Sequence, residues 1–131
     1  MEVHTALGPG LLERLYEDAL EHELRRSGLA VDRQLPVTID YKGLAIKGLQ
    51  LDLVVERLVV VELKVVEKIH DVHKSQLLSY MRAGGFPLGL LINFNTEHLR
   101  DGIVRRINAS AVSAIQSNSP SPPRPPQSPL R

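Results

Sequence analysis

The chain contains no cysteine, so it has neither a disulfide framework nor a thiolate zinc site. No apolar run approaches the roughly 20 residues that a bilayer-spanning helix requires, which sets an integral membrane protein aside. The opening Met1-Glu-Val-His-Thr-Ala6 lacks the basic and then apolar stretches of a secretory leader, and the expected home is a reducing cytoplasm. No internal repeat is visible, which excludes solenoids. An excess of basic charge is also missing. All 15 acidic residues precede Ser117 whereas Arg124 and Arg131 follow it, so the body carries 14 basic against 15 acidic side chains. A protein that grips nucleic acid chiefly by neutralising phosphates normally shows a basic surplus. Any phosphate chemistry here is therefore expected to be local, through a metal ion.

What is present fits one globular domain: 131 residues, 43% of them hydrophobic and 24% charged, near the commonest domain size. Six of the nine prolines fall in 117–131, which reads SNSPSPPRPPQSPLR. That composition cannot bury enough surface to offset its ordering entropy. The domain is accordingly placed at 1–108, with 109–131 a disordered Ser/Pro-rich tail. Its PPRPP run admits either an SH3-like groove or a passive polyproline spacer.

Within the domain, Leu11, Leu12, Leu15, Tyr16, Ala19, Leu20 and Leu24 recur at helical spacing, and Gly28 follows as a stop. Alternation at Leu29, Val31, Leu35, Val37, Ile39 and Tyr41, broken only by Arg33, predicts a strand. Lys42-Gly43 makes a turn. Residues 44–55 form a second strand with a bulge at Gly48. Residues 58–66 form a third, apolar on both faces, as in the middle of a sheet. Residues 70–83 make a second helix ended by Gly84-Gly85, 88–94 a fourth strand, and 96–107 a short helix or irregular edge. The order αβββαβ describes an α/β fold, with a mixed four-stranded sheet flanked by helices.

Charge in the apolar strands is the informative anomaly. Glu62 and Lys64 lie two apart on one face of the third strand, and Asp52 is flanked by Leu51, Leu53, Val54 and Val55. A buried charge without a partner costs several kcal/mol. A two-residue turn at Glu56-Arg57 would place Asp52 opposite Val61. A three-residue loop, 56–58, places it opposite Glu62 with Lys64 on the same side. The second register gathers three otherwise unexplained charges and is preferred. Two carboxylates and a lysine suit metal-assisted phosphodiester hydrolysis: Mg²⁺ prefers oxygen ligands and keeps several waters. It can polarise a phosphoryl oxygen, and a lysine can stabilise the developing charge. A structural ion pair of Lys64 with Glu62 or Asp52 explains the same residues.

The helices add candidates. Glu13 falls at the edge of the first helix's apolar arc, whereas Glu17, Asp18 and Glu21 fall on its polar face and are expected to be solvated. Glu23 falls inside the arc, where a bond to an arginine would satisfy it. Gly8-Pro-Gly10 offers either a phosphate cradle or, more simply, a turn. On the second helix His73, Gln76 and Tyr80 share a face with Ile69, Val72 and Ala83. Gln76 there is unusual and could bond a metal-bound water or a phosphate oxygen, whereas Tyr80 alone would be read as core. His70 and His73 have the spacing of a zinc pair, with only distant His98 as a third ligand.

Taken together these residues resemble a known family. Gly10-Leu-Leu-Glu13-Arg-Leu-Tyr16 is similar to the signature of the GxxExxY proteins. Asp52 followed by Glu62-Leu63-Lys64 resembles the D…(D/E)XK motif of the PD-(D/E)XK nuclease superfamily. Gln76 and Tyr80 resemble the QxxxY motif of its exonuclease-like branch, and 88–95 resembles the strand that follows. The resemblance covers residues 3–107 in order and implies a restriction-endonuclease-like core. It implies a Mg²⁺ or Mn²⁺ site with Asp52, Glu62 and the Leu63 carbonyl as ligands, and Glu13 ligating directly or through water. Lys64 is implied as the catalytic lysine, and Gln76, Tyr80 and Tyr16 as orienting residues. The implied partner is nucleic acid, DNA ahead of RNA. A homodimer or a recruiting protein would supply grip that so small a body lacks. Gln50 stands where relatives often carry arginine, Leu51 replaces the motif's proline, and relatives usually have another helical turn or two upstream of Val3-His4. The expected function is a metal-dependent nuclease. A catalytically silent nuclease-like module that binds nucleic acid or regulates is the alternative, and a small structural protein whose charges merely pair is the third.

Overall fold

The computed structural model describes residues 1–118. The proline-rich segment 119–131, with the PPRPP run, lies outside the described residues. Helix α1 (Glu2–Leu7) and α2 (Glu13–Arg26) lead into strands β1 (Val31–Tyr41), β2 (Leu44–Val55) and β3 (Val59–Lys64). Helix α3 (Asp71–Gly84) and strand β4 (Leu88–Asn93) follow. A single 3-10 turn at Leu99–Gly102 then precedes β5 (Ile103–Ile107) and α4 (Ala109–Asn118). The sheet order is β1-β2-β3-β4-β5, with β3 and β4 parallel and the other neighbours antiparallel.

Three elements differ from the sequence pattern. The sheet has five strands, not four, because 103–107 pairs with β4 from Ile92↔Ile103 to Leu88↔Ile107. Its run Ile-Val-Arg-Arg-Ile does not alternate, so no period of two announced it. Helix α1 precedes the expected first helix and buries Val3 and His4, with His4 Nε2 2.7 Å from the Thr96 carbonyl. Residues 109–118, placed at the start of the tail, form α4. Ala111 is buried in that helix, and Asn108 ties its start to the carbonyls of Phe86 and Pro87.

The sheet is filled on both faces. On one, Tyr16, Ala19, Leu20 and Leu24 of α2 pack with Val31, Leu53, Val55, Val61 and Leu63. On the other, Leu77 and Met81 of α3 pack with Leu51, Val54, Val60 and Leu91. A Cβ at Gly89 would stand 2.5 Å from Met81 Sδ, so glycine is what lets α3 lie this close to β4. Central β3 is apolar on both sides, as its composition requires. The structure departs from the helical arcs in two places: Leu12 and Leu15 are exposed, and Val72 is 60% exposed. Leu12 is the N-cap of α2, and Leu15 and Val72 lie in first turns, before the helix reaches the sheet. No helix among the described residues is long and apolar enough to cross a membrane.

Register places the charges. The β2–β3 ladder runs Leu53↔Val61, Val54↔Val60, Val55↔Val59, leaving the three residues Glu56, Arg57 and Leu58 as the loop. Glu56 and Arg57 both take positive φ, and the Leu58 N–H closes the turn on the Val55 carbonyl at 2.9 Å. Continued one step, the register sets Asp52 against Glu62. Farther out, β1 and β2 shift register between Val37 and Ile39, and Gly48 at φ 112° supplies the expected bulge. Beyond it the ribbon projects as a two-stranded arm, exposed from Thr38 to Gly48.

Candidate active site

The β1–β2 ribbon changes face at one step. Arg33 pairs with Leu53 and Leu35 with Leu51, while Gln34 and Asp52 between them form no ladder pair; Gln34 stands at φ 51°. In a regular strand, residues two apart share a face. Here Leu53 belongs to the α2 core and Leu51 to the α3 core. Val31 likewise packs under α2, whereas Leu35, Val37 and Leu49 pack under α3. The break at Arg33 in the apolar alternation is the sequence trace of this switch: Arg33 still points to α2, and the apolar series resumes on the other side. Asp52 therefore lies at the seam between the two layers, where β2 parts from β3.

At this fork the carboxylates replace missing ladder bonds. The Asp52 N–H donates to Glu62 Oε2 at 2.8 Å, and the Leu63 N–H donates to Asp52 Oδ2 at 2.9 Å. The crossed bonds fix both carboxylates relative to both strands. Glu62 is buried, 7% exposed, and its Oε1 takes no hydrogen bond among the described residues. Burial first, then the Asp52 charge, push its carboxyl up to about 8. Asp52 is raised too, by burial and by the Glu17 charge against the Leu63 and Gln34 hydrogen bonds. Glu13, at the first turn of α2, is raised by desolvation and by Asp52 and Glu17. Lys64 acts favourably on all three acids, yet among the described residues it forms no ion pair within 4.0 Å. A close structural ion pair is thus not what places Lys64 here.

Tyr80 of α3 faces the same acids: burial and the charges of Glu62 and Asp52 raise its hydroxyl. Gln76 lies one turn earlier, half-buried and without a hydrogen bond among the described residues. Tyr16 is fully buried. Its ring stacks on Phe94 with centroids 4.5 Å apart. Its hydroxyl donates to the Gly8 carbonyl and accepts the Leu11 N–H at 3.1 Å. Tyr16 thus pins the Gly8–Leu11 turn that launches Glu13. The same bonds make Gly8-Pro9-Gly10 a tied turn and not an open cradle. The His70–His73 pair caps α3, His73 Nδ1 accepting the His70 N–H at 2.9 Å. Glu23 meets Arg26 at 3.8 Å, the arginine partner its position asked for.

Three further residues, Glu17, Arg33 and Gln34, border the fork and have no motif. Glu17, expected to be solvated, is only 5% exposed. Arg33 reaches across from β1 to Glu17 and Asp18 at 2.5 Å each and to Glu21 at 3.2 Å. Gln34 Nε2 donates to both Glu17 oxygens at 3.1 Å and to Asp52 Oδ1 at 3.4 Å. A helical wheel cannot show these partners, because they come from another element.

No group of three acidic or histidine side chains among the described residues is gathered closely enough to hold a metal ion. The donor set nevertheless fits a hard divalent cation. Mg²⁺ is held by one or two carboxylates and keeps water for the rest of its shell; Asp52 and Glu62 are two such carboxylates, locked side by side and short of positive charge.

A family model described as the PD-(D/E)XK nuclease superfamily matches residues 1–107. No curated protein and no solved structure matches the chain.

Proposed function

Because the chain belongs to the PD-(D/E)XK nuclease superfamily, we propose that it is a divalent-metal-dependent nuclease of the GxxExxY type that hydrolyses phosphodiester bonds, in DNA before RNA. The observation that carries the reading is the fork. Asp52 and Glu62 bond crosswise to each other's strands, their carboxyls are raised, and Lys64, a cation acting on both, forms no ion pair among the described residues. A packed fold keeps such charge only where something compensates it.

Asp52, Glu62 and the Leu63 carbonyl would hold Mg²⁺ or Mn²⁺, with Glu13 reached directly or through water. Such a cation supplies Lewis acidity toward the phosphoryl oxygen and eases ionisation of water. The protein's own groups do the rest. The Lys64 ammonium orients the attacking water and stabilises the extra negative charge on the phosphorus oxygens as the fifth bond forms. The Gln76 amide and the Tyr80 hydroxyl, four residues apart on α3, hold the scissile strand against the fork. Tyr16 keeps the turn before Glu13 in place. Since the body has no basic surplus, a second subunit or a recruiting protein supplies further grip on the substrate.

The alternative, a nuclease-like module that binds without cutting, is favoured by one feature of the sequence: Gln50 stands two residues before Asp52, where the resemblance leads one to expect an arginine to grip phosphate. The deciding experiment is cleavage of single-stranded DNA, duplex DNA and RNA with Mg²⁺ or Mn²⁺, beside Lys64→Ala. The proposal expects metal-dependent cutting of at least one substrate, reduced about 100-fold or more in the variant, with metal affinity retained. Folded protein that binds Mn²⁺ but cuts none of the three selects the silent module. Equal cutting by Lys64→Ala removes the assigned mechanism.

A further inference from the structure

Gln34 occupies the step at which the β1–β2 ribbon changes face, and nothing in the backbone there calls for glutamine. At φ 51° it holds a left-handed conformation that glycine takes freely and asparagine tolerates. Its side chain explains the choice. The Gln34 amide nitrogen sits between two carboxylates, 3.1 Å from both Glu17 oxygens and 3.4 Å from Asp52 Oδ1. Glu17 is anchored independently by the Arg33 guanidinium. Asp52 Oδ2 is occupied by the Leu63 N–H, so the amide fixes the other end of the same carboxylate.

We propose that Gln34 is a positioning residue for Asp52. Its amide bridges the repulsion between Glu17 and Asp52 and sets the rotation of the Asp52 carboxylate, which with Glu62 would hold the cation. This rests on the reading of the fork as a divalent-cation site. The competing role is purely structural, a residue that braces the kink.

Two substitutions separate the roles because they remove the same amide but only one of them relieves the backbone strain. Gln34→Gly relieves the left-handed conformation, whereas Gln34→Leu keeps the strain. Mn²⁺ binding to the full chain is measured by calorimetry, alongside the melting temperature without metal. A positioning role predicts that both variants bind Mn²⁺ about 10-fold more weakly, the usual effect of losing a group that orients a ligand. Melting temperature should instead split, the glycine variant at or above wild type and the leucine variant below it. Wild-type affinity in Gln34→Gly overturns the proposal, as does affinity that simply follows melting temperature. If the wild-type chain takes up no Mn²⁺, the cation reading fails and the proposal fails with it, an outcome distinct from equal binding by all three proteins.

Discussion

Two groups of carboxylates lie on either side of Gln34, and the molecule treats them oppositely. Between α2 and β1, Glu17, Asp18 and Glu21 converge on one guanidinium, with Arg33 within 3.2 Å of all three. At the fork, Asp52 and Glu62 accept backbone amides, and no cation approaches within ion-pair distance among the described residues. In the first group every acid has a cationic partner, and the group fastens a helix to a strand. The second has no such partner among the described residues, and its carboxyls are raised, chiefly by burial. Counting acids does not distinguish a brace from a metal site; asking which acids already have a partner does.

The contrast is broken most forcefully by removing one acid from the fork. Asp52→Ala should lower metal-dependent cleavage by about 100-fold or more and weaken Mn²⁺ binding alongside it, as read by single-turnover cleavage and calorimetry. Removing the brace has a different signature. Arg33→Ala leaves nearly buried Glu17 with Gln34 alone, and urea unfolding should show a loss of about 2–3 kcal/mol, below the full cost of breaking a buried pair because Arg33 is partly exposed.

How the two groups appeared in the sequence is instructive. The fork was legible there: two charged residues alternating on a β-branched strand, with a preference for the register that collects charges, lead to Asp52 against Glu62, and the ladder runs in that register. The brace was not. Glu17, Asp18 and Glu21 look solvated on a helical wheel, and only the interruption at Arg33 hints that β1 turns a cation toward them. The face switch at Gln34 is equally hidden, since Leu35 and Val37 continue the same odd-numbered apolar series as Val31 while packing in the opposite core. β5 went unseen because its pairing with β4 does not depend on alternation, and α1 because six residues are too few for a periodic signal. Local period and charge gave the strands, the long helices and the fork; contacts between distant elements decided the rest.

A smaller effect sharpens the comparison through pH. The folded-state carboxyl of Glu62, near 8, lies above its unfolded value of 4.5, so the native state holds the extra proton between these limits. Stability from this group is complete below the lower limit and is lost as pH rises through the upper one. Metal-free wild type should therefore melt about 5 °C or more lower at pH 8 than at pH 5 relative to Glu62→Gln. Mn²⁺ affinity should rise over the same interval as the proton leaves. The smallest effect is expected at the brace's exposed end: Asp18→Ala should cost less than about 1 kcal/mol and leave Mn²⁺ binding and cleavage unchanged.

The central claim is that a divalent cation goes to the fork and not to the brace. Paramagnetic broadening of amide resonances by substoichiometric Mn²⁺ tests it in one titration. The expected result is selective loss of the Asp52, Leu63 and Lys64 amide signals, abolished in Asp52→Ala, with the Glu21 and Arg25 signals persisting. Broadening centred on Glu21 and Arg25, or none at all in the folded protein, would contradict it.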